Sequence, residues 1–213
     1  MITQHQYIGR YPIEPDSRLL ILGTIHPHNI GNFQIPFFYG NRNSLWNLLS
    51  YAFPKELPSP VTLEGILSFL HQRKIALSDT IKQCSRKNTT ALDSDLVPEL
   101  MNHALLDQIR QSKIEHILCT SAFGKNNAFK LFYESILGQK LTPTIRAARE
   151  VMLSPKIFGR HVLVKALYSP SGSSNISLSK HPLYLANKEK YFGSSRPVYD
   201  FKVDYYREQF QAN

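Results

Sequence analysis

The stretch "RLLILG", residues 18–23, is a short apolar run that ends in a glycine. Such a run, followed by loop-forming residues, is typical of a strand buried on both faces of a sheet. Further strands are predicted near residues 75–78, 114–120 and 161–167, and segments with helical spacing of apolar residues lie between them. This alternation predicts an α/β fold, a three-layer α/β/α sandwich around a central, mostly parallel four-stranded sheet.

Helices are predicted where apolar residues recur at a spacing of three and four. They cover residues 44–53, 62–74, 99–112 and 124–137, with two more inside 178–192 and 199–211. The stretch "KIALSDTIKQC" predicts a strand that turns into a helix, with Ser78 or Asp79 as its N-cap. Residues 138–160 are interpreted as an insertion, and residues 193–213 as a C-terminal extension, of a single domain that spans 1–213.

Charge and composition narrow the classes of function. The chain of 213 residues has 25 Lys and Arg against 16 Asp and Glu, a formal charge of +9, which suits a polyanionic partner such as nucleic acid. No apolar run is long enough for a membrane span, and the N-terminus lacks a secretion-signal pattern, so a cytoplasmic location is expected. Cys84 and Cys119, without a CxxC motif, exclude a four-thiolate cluster, and no metal or other cofactor is expected.

Two unusual loops follow the first and the last predicted strand. The first loop, residues 24–43, is long for a compact domain and is rich in Gly, Asn, Pro and aromatic residues. No Asp or Glu occurs from residue 17 to residue 55, whereas three residues in this span are basic. A site here would therefore suit a phosphate or an anionic leaving group. If the strands are parallel, this loop and the Ser-rich loop 168–175 share one edge of the sheet.

The stretch "LLILGTIHPHN…FFYGNRNSLWNLL" resembles the first motif of the uracil-DNA glycosylase superfamily, nearest its mismatch-specific and hypoxanthine-DNA glycosylase branches. The family pattern is an apolar strand, a G-x-x-P turn, a Phe/Tyr pair and an Asn shortly before Phe-Trp at the start of a helix. Three later stretches also fit, namely "KIALSDTIKQCSRKNTTALDSDL", "HILCTSAFGKNNAFKLF" and "ALYSPSGSSN". The last resembles the Pro-Ser loop that presses on the DNA backbone, and the likeness covers most of residues 18–185.

This resemblance implies a monofunctional DNA glycosylase of base excision repair. Such an enzyme hydrolyses the N-glycosidic bond of a deaminated base, uracil or hypoxanthine, after the base has been flipped out of the DNA. The pocket then needs an aromatic ring for stacking and amide groups that read the edge of the base. Phe38 or Tyr39 fits the first requirement and Asn43 the second, while Gly23 and Thr24 are expected to line the base.

The sequence departs from the family pattern in two places that concern the catalytic residues. The first turn is one residue longer and has His26 where several branches have Asn or Asp, and the stretch from Gly40 to Asn43 is one residue shorter than in the hypoxanthine branch. The resemblance therefore assigns the positioning of the attacking water to Asn43. His26 is interpreted as stabilising the departing anionic base, and Asp79 as a catalytic or orienting residue.

Each of these residues also has an ordinary structural interpretation. Asn43 and Asp79 can serve as helix N-caps. His26 can be a solvated loop residue or, with His28, part of a metal site whose third ligand the sequence does not supply. The aromatic residues at 37–39 can belong to the hydrophobic core, where aromatic side chains are most often found.

Contacts with the DNA backbone are predicted from two kinds of residue. Ser171, Gly172 and Ser173 offer hydroxyls and backbone N–H groups suited to phosphate oxygens, although an ordinary Ser/Gly turn has the same composition. Arg42 and Lys125 offer positive charge. The predicted partner is DNA that contains a damaged or mismatched base.

The resembling enzymes place a bulky apolar side chain near the second loop, where it fills the space of the flipped base. Here Tyr168 or Ile176 would serve. No Lys lies within 24–43, so a strand-cleaving lyase activity is not expected. A monomer associated with the nucleoid is expected. Two other functions stay open: a non-catalytic nucleic-acid-binding protein of the same fold, and a small-molecule or nucleotide hydrolase of flavodoxin-like architecture.

Overall fold

A computed structural model describes residues 1–42, 44–87 and 92–211 of the chain. Its strands are β1 (Ile2–Gln4), β2 (Leu19–Gly23), β3 (Ile75–Asp79), β4 (Ile81–Arg86), β5 (Leu96–Met101), β6 (His116–Cys119), β7 (Glu150–Leu153) and β8 (Val162–Ala166). Its α-helices are α1 (Ser44–Ala52), α2 (Leu63–Gln72), α3 (Leu105–Gln111), α4 (Ala128–Lys130, continued by a π-helix at Leu131–Ile136), α5 (Pro143–Ala148), α6 (Pro155–Phe158), α7 (Asn175–Leu178), α8 (Pro182–Leu185) and α9 (Pro197–Gln211). None of the described helices is long and apolar enough to cross a membrane.

The chain divides into two compact units, each made of two separate segments. Unit 1 contains residues 1–32 and 70–167, and unit 2 contains residues 33–69 and 168–213. All of the strands given above lie in unit 1, whereas the regular structure described in unit 2 is helical. The single domain expected over the whole chain stays a prediction.

Unit 1 is built around a five-stranded sheet with the order β3-β2-β6-β8-β7. Strands β3, β2, β6 and β8 pair in parallel, which confirms the four strands predicted from apolar runs. The predicted strand number is wrong, because β7 adds a fifth strand antiparallel to β8. Strand β7 lies within residues 138–160, interpreted above as an insertion, and only its last residue is buried. The fold is therefore a mixed α/β fold.

The larger core of unit 1 covers one face of this sheet. Side chains two positions apart on a strand share a face, and the strand residues of the core follow that spacing. The core includes Leu20, Leu22, Ile117, Cys119, Val162, Val164 and Ala166 of the sheet together with Leu105, Ile109, Phe129 and Phe132 of the helices. Burying a large apolar side chain contributes about 1.5–3 kcal/mol. This packing accounts for one helical layer, and the second layer of the sandwich stays a prediction.

A second sheet in unit 1 corrects the helix predicted after β3. Strand β4 pairs antiparallel with β1 and β5, in the order β1-β4-β5. The register against β5 shifts between Ile81 and Cys84, so both side chains are buried although they lie three positions apart. A spacing of three is also the helical signal, which is why the sequence pattern was misleading. The helix predicted over 99–112 begins only at Leu105, because Leu96–Met101 is the edge strand β5.

In unit 2, helix α9 packs against α1. The rings of Tyr51 and Tyr199 meet edge-on with centroids 5.8 Å apart. Arg207 donates from Nε to the carbonyl of Ala52 at 3.0 Å, which satisfies an acceptor that the end of α1 leaves open. Residues 197–211, in the segment interpreted as a C-terminal extension, therefore form a packed part of unit 2.

Candidate active site

The carboxyl ends of four parallel strands meet at one edge of the central sheet. Gly23 of β2 lies beside Asp79 of β3, and Cys119 of β6 lies beside Ala166 of β8, while β2 and β6 are also in register. The loops after β2 and β8 therefore begin at the same edge, as predicted, and ligands bind at this edge in sheets of this kind. Gly23 is fixed there because its carbonyl accepts the N–H of Thr80 at 3.0 Å.

A cluster of hydroxyls and a carboxyl group occupies this edge in unit 1. Thr24, the first residue after β2, donates from Oγ1 to Oδ2 of Asp93 at 3.2 Å and lies 3.5 Å from Oγ of Ser121. Burial raises the pKa of Asp93 to about 6, against a hydrogen bond from Thr24 that lowers it, and the charge of Asp79 adds to the rise. Such carboxyls are frequent at functional sites. The sequence analysis missed Asp93, whose signal was the Ser/Asp-rich turn before β5.

His26 is a buried residue with both ring nitrogens engaged. Its Nε2 accepts the N–H of Gln6 at 3.0 Å, and its Nδ1 lies 2.7 Å from the carbonyl of Pro27, so Nδ1 carries the proton and donates it. Burial lowers the pKa of His26, and the bond to Pro27 opposes that effect. Arg86 holds the turn by donating to the carbonyl of His26 at 2.8 Å. This geometry gives no support to a role in stabilising a departing base, and the solvated-loop interpretation is wrong.

Asp79 ends a strand and does not cap a helix. Its Oδ2 lies 2.7 Å from Nε2 of His5, and both side chains are buried. Nδ1 of His5 accepts the N–H groups of Tyr7 and Ile8 at 3.0 and 3.2 Å, so Nε2 carries the proton and donates it to Asp79. The pair ties the N-terminal segment to the end of β3. A catalytic role for Asp79 stays a prediction.

The aromatic stretch of unit 2 forms a tight turn before α1. The N–H of Phe37 donates to the carbonyl of Ile35 at 2.8 Å, the N–H of Gly40 to Phe37 at 3.0 Å, and the N–H of Ile35 to Gly40 at 3.2 Å. A Cβ atom at Gly40 would lie 1.8 Å from the carbonyl oxygen of Ile35, so only glycine fits this close approach. The turn therefore holds the residue before Gly40, Tyr39, in one conformation.

The two rings predicted to stack on a base differ in this turn. Phe38 is 1% exposed, packs edge-on against Phe37 with centroids 5.3 Å apart, and accepts the indole N–H of Trp46 at its carbonyl at 2.7 Å. It is a core residue. Tyr39 is half-buried with a φ of 58°, a left-handed conformation that costs about 1–2 kcal/mol and recurs at functional sites. Of the two, Tyr39 is the ring open to a base.

The remaining predicted residues of the first loop are charged or lie beyond the description. Asn43, predicted to position the water, lies outside the described residues, directly before the first residue of α1. Arg42 is exposed. Lys125 is exposed in the turn that precedes α4 in unit 1. Exposure leaves both cations able to contact a phosphate, and their role in binding DNA stays a prediction.

The Ser-rich loop after β8 is folded around a buried lysine of α9. Lys202 is 1% exposed and donates from Nζ to the carbonyl of Ser171 at 3.0 Å and to Oγ of Ser174 at 2.8 Å. By contrast, the hydroxyls of Ser171 and Ser173 form an exposed pair 2.9 Å apart. Sequence analysis missed Lys202, although helical spacing places it on the same face as the aromatic Tyr206, four residues on.

Tyr206 adjoins both loops of unit 2. It is fully buried, and its hydroxyl donates to the carbonyl of Tyr168, where the Ser-rich loop begins, at 2.7 Å. Burial raises the pKa of Tyr206 first, and the neighbouring phenols of Tyr205 and Tyr39 raise it further. Tyr39 is therefore close enough to Tyr206 to affect the ionisation of its phenol. Inside unit 2, the Ser-rich loop is thus hydrogen-bonded to Tyr206 at its start, and Tyr39 lies near enough to raise the pKa of the same phenol.

Tyr168 and Ile176, the two side chains predicted to fill the space of a flipped base, differ in how far they are exposed. The hydroxyl of Tyr168 lies 3.2 Å from Nε2 of His181, and its ring packs edge-on against Tyr205 with centroids 5.0 Å apart. Ile176, at the start of α7, is 73% exposed. Tyr168 is therefore committed to packing within unit 2, and Ile176 is the apolar side chain that is open to solvent.

The structure offers no metal site among the residues that it describes, since no three His, Cys, Asp or Glu side chains there are grouped to hold an ion. His28 of the HxH pair lies 3.1 Å from Oγ1 of Thr3. Cys84 and Cys119 are free and buried, and burial raises the thiol pKa of both. Their role is packing, because the reactive form of cysteine is the thiolate.

Comparison with known proteins gives a distant similarity to a solved structure. No protein-family model matches the chain, and no curated protein matches it. Among solved structures, the chain is similar to a solution NMR structure from Methanosarcina acetivorans described as a "putative Uracil DNA glycosylase". The identity is 20%, the match covers 98% of each chain, and the TM-score is 0.49. Values this low establish neither the family nor the activity of this chain.

Proposed function

We propose that this protein is a monofunctional DNA glycosylase that hydrolyses the N-glycosidic bond of a deaminated base, uracil or hypoxanthine, flipped out of DNA. The observation that carries the proposal lies in unit 2, where the left-handed, half-buried Tyr39 affects the buried Tyr206, and Tyr206 is hydrogen-bonded to the start of the Ser-rich loop. A base-flipping enzyme needs a ring that stacks on the extruded base and a loop that binds the DNA backbone beside it. We assign these two roles to Tyr39 and to the Ser-rich loop of unit 2, and the sequence resemblance independently assigns these two stretches to such roles.

The proposed chemistry needs orientation of water more than a strong base. The bond from C1′ to the base nitrogen breaks, and its electron pair leaves with the base. Water then adds to the sugar cation, and the proton that it loses is taken up by the base anion or by bulk water. The span from residue 17 to residue 55 has no acidic side chain, so this part of the chain adds no negative charge that would repel the leaving base. The amide oxygen of Asn43 would orient the water by accepting a hydrogen bond from it.

The remaining roles follow from exposure and charge. Tyr39 would stack on the base, and the hydroxyls of Ser171 and Ser173 would bind a backbone phosphate together with the exposed Arg42. Ile176 would enter the space that the base leaves. We also propose that Gly23 and Thr24 contact the base, and substitutions at these two residues test that separately.

The proposed partner is DNA with a damaged base, and the product is an abasic site left without strand cleavage. The protein would act as a monomer in the cytoplasm, in association with the nucleoid. A non-catalytic nucleic-acid-binding protein is the second candidate function. It is favoured by His26, whose ring nitrogens are both engaged in unit 1 where several resembling branches have an Asn or Asp.

A panel of labelled oligonucleotides tests the activity. Strands that contain uracil, hypoxanthine, xanthine or a mismatched thymine are incubated with the protein and then treated with alkali, which cleaves at abasic sites. Alkali-dependent cleavage of the uracil or hypoxanthine strand is expected. Binding without cleavage of any strand would favour the non-catalytic function, and turnover of free nucleosides without affinity for DNA would favour a small-molecule hydrolase.

Two asparagine variants separate catalysis from binding. Asn43→Ala should lower kcat by about 100-fold to 1,000-fold, as loss of one positioned polar group does, and should leave DNA affinity nearly unchanged. Asn47→Ala is the matched control, because Asn47 is an exposed residue of α1 and should tolerate the change. Equal losses of turnover in both variants would contradict the role of Asn43.

A further inference from the structure

The buried lysine beneath the Ser-rich loop has no part in the function proposed so far. Nζ of Lys202 donates to two neutral oxygens, the carbonyl of Ser171 and Oγ of Ser174. Within the described ranges, no carboxylate lies at ion-pair distance from this ammonium. A buried charge without a counter-charge is unfavourable. An apolar side chain of similar size would therefore serve the packing of α9 better.

The hydrogen bonds around Lys202 give the loop two distinct sides. The carbonyl of Ser171 also accepts the N–H of Ser174 at 3.2 Å, and the hydroxyl of Ser174 can donate to the carbonyl of Ser169 at 2.8 Å or to that of Ser171 at 2.7 Å. Of these oxygens, the carbonyl of Ser171 and Oγ of Ser174 face the ammonium. The hydroxyls of Ser171 and Ser173 stay exposed. The loop thus turns acceptors toward the lysine and leaves donors at the surface.

We propose that Lys202 is a positioning residue for a backbone phosphate of DNA: it holds the carbonyl of Ser171 inward and so presents the hydroxyls of Ser171 and Ser173 to the phosphate. This inference rests on the proposed function and deepens it. The ammonium also favours an anion at the exposed side of the loop, because buried charges are screened much less than exposed ones. Burial lowers the pKa of Lys202 to about 8, so in most molecules the side chain is charged at neutral pH.

Binding to an undamaged, fluorescently labelled DNA duplex measures this role without any base excision. Lys202→Met removes the charge and the donors while keeping a long side chain, and it should raise Kd about tenfold, as expected for lost hydrogen bonds to a charged group. Lys202→Arg keeps the charge and donors and should restore most of the affinity. Lys188→Met removes the same formal charge from an exposed site in unit 2, and it should change Kd much less.

Three further readouts separate positioning from stability. Lys202→Met should unfold at the same or a higher urea concentration than the wild type, because it removes a buried charge. Its amides at residues 171–175 should exchange hydrogen faster, because the loop has lost its inner contacts. In the excision assay the variant should raise KM and leave kcat unchanged, whereas a general structural defect would lower kcat.

The outcomes distinguish this inference from the proposed function. If Lys202→Met binds duplex as tightly as the wild type, or if Lys188→Met loses as much affinity, the role of Lys202 is overturned and the glycosylase proposal stands. Unchanged hydrogen exchange in the loop would overturn it as well. Wild-type protein that binds no duplex at all would overturn the proposed function and the phosphate role of Lys202 with it.

Discussion

Replacing Asp93 with asparagine should stabilise the protein above about pH 6 and change little near pH 4. Asp93 lies in unit 1, where Oγ1 of Thr24 donates to its carboxyl group. The substitution keeps the shape of the side chain, and the amide oxygen can still accept the hydrogen bond from Thr24. The only intended change is the loss of a group that can ionise.

The magnitude follows from the pKa of Asp93, which is about 6 in the folded protein against an ordinary 3.8. The folded state therefore holds the proton more tightly than the unfolded state. The stability that this contributes is fully present below the unfolded pKa and is lost as the pH rises through the folded pKa. At about 1.4 kcal/mol for each pH unit between the two pKa values, the wild type loses up to about 3 kcal/mol by neutral pH. The asparagine variant does not.

Urea unfolding of both proteins at about pH 4 and about pH 8 measures the difference. The free energy of unfolding of Asp93→Asn, relative to the wild type, should rise by up to about 3 kcal/mol across this interval. Asp107→Asn is the control, because Asp107 is an exposed acid on α3, and its effect should be small and nearly independent of pH. A pH-independent difference for Asp93→Asn would refute the reasoning, since it would mean that burial does not hold the proton on Asp93.

Two further predictions concern the tight turn of unit 2. Gly40→Ala should lower the free energy of unfolding by about 1–3 kcal/mol, because its Cβ would meet the carbonyl oxygen of Ile35. Gly193→Ala is the control and should be tolerated, because nothing lies within 4 Å of a Cβ there. Equal urea midpoints of the two variants would contradict the close approach at Gly40. Tyr39→Gly should be more stable than Tyr39→Ala by about 1 kcal/mol, because the left-handed φ of 58° is unfavourable for alanine and not for glycine. Both variants should lose base excision. An alanine variant as stable as the glycine variant would argue against the left-handed conformation.

The parts of the fold that could be predicted are those where burial is uniform along the chain. All five residues of β2 are buried, so the sequence shows an unbroken apolar run. Strand β5 could not be found in this way, because it lies at the edge of its sheet, only its first residue is buried, and it contains Pro98. Strand β4 was mistaken for a helix because a register shift places buried residues three positions apart. Edge strands and register shifts are therefore not detected by sequence patterns that assume regular alternation of buried and exposed residues.

The candidate site also has parts that could be predicted from the sequence and parts that could not. Sequence spacing could select the turn that contains Tyr39, because aromatic and amide residues are unusual just after a buried strand. It could not choose between Phe38 and Tyr39, since only the packing shows that Phe38 is buried. Asp93 and Lys202 escaped prediction for a related reason. Each is an ordinary charged residue in sequence, and it becomes unusual only through the burial that tertiary contacts impose.

Two energetically unfavourable features of unit 2, the left-handed conformation of Tyr39 and the buried ammonium of Lys202, favour a binding site over a purely structural role. Non-glycine residues with positive φ in the described chain also include Lys74 and Arg149, but both follow the ends of helices, where a left-handed residue is common. Tyr39 precedes a helix and has no such reason. Lys202 keeps a buried ammonium with neutral partners only. Lys202 lies one helical turn before Tyr206 on α9, and Tyr39 acts on the pKa of Tyr206. Sequences retain unfavourable local features of this kind mainly where function requires them.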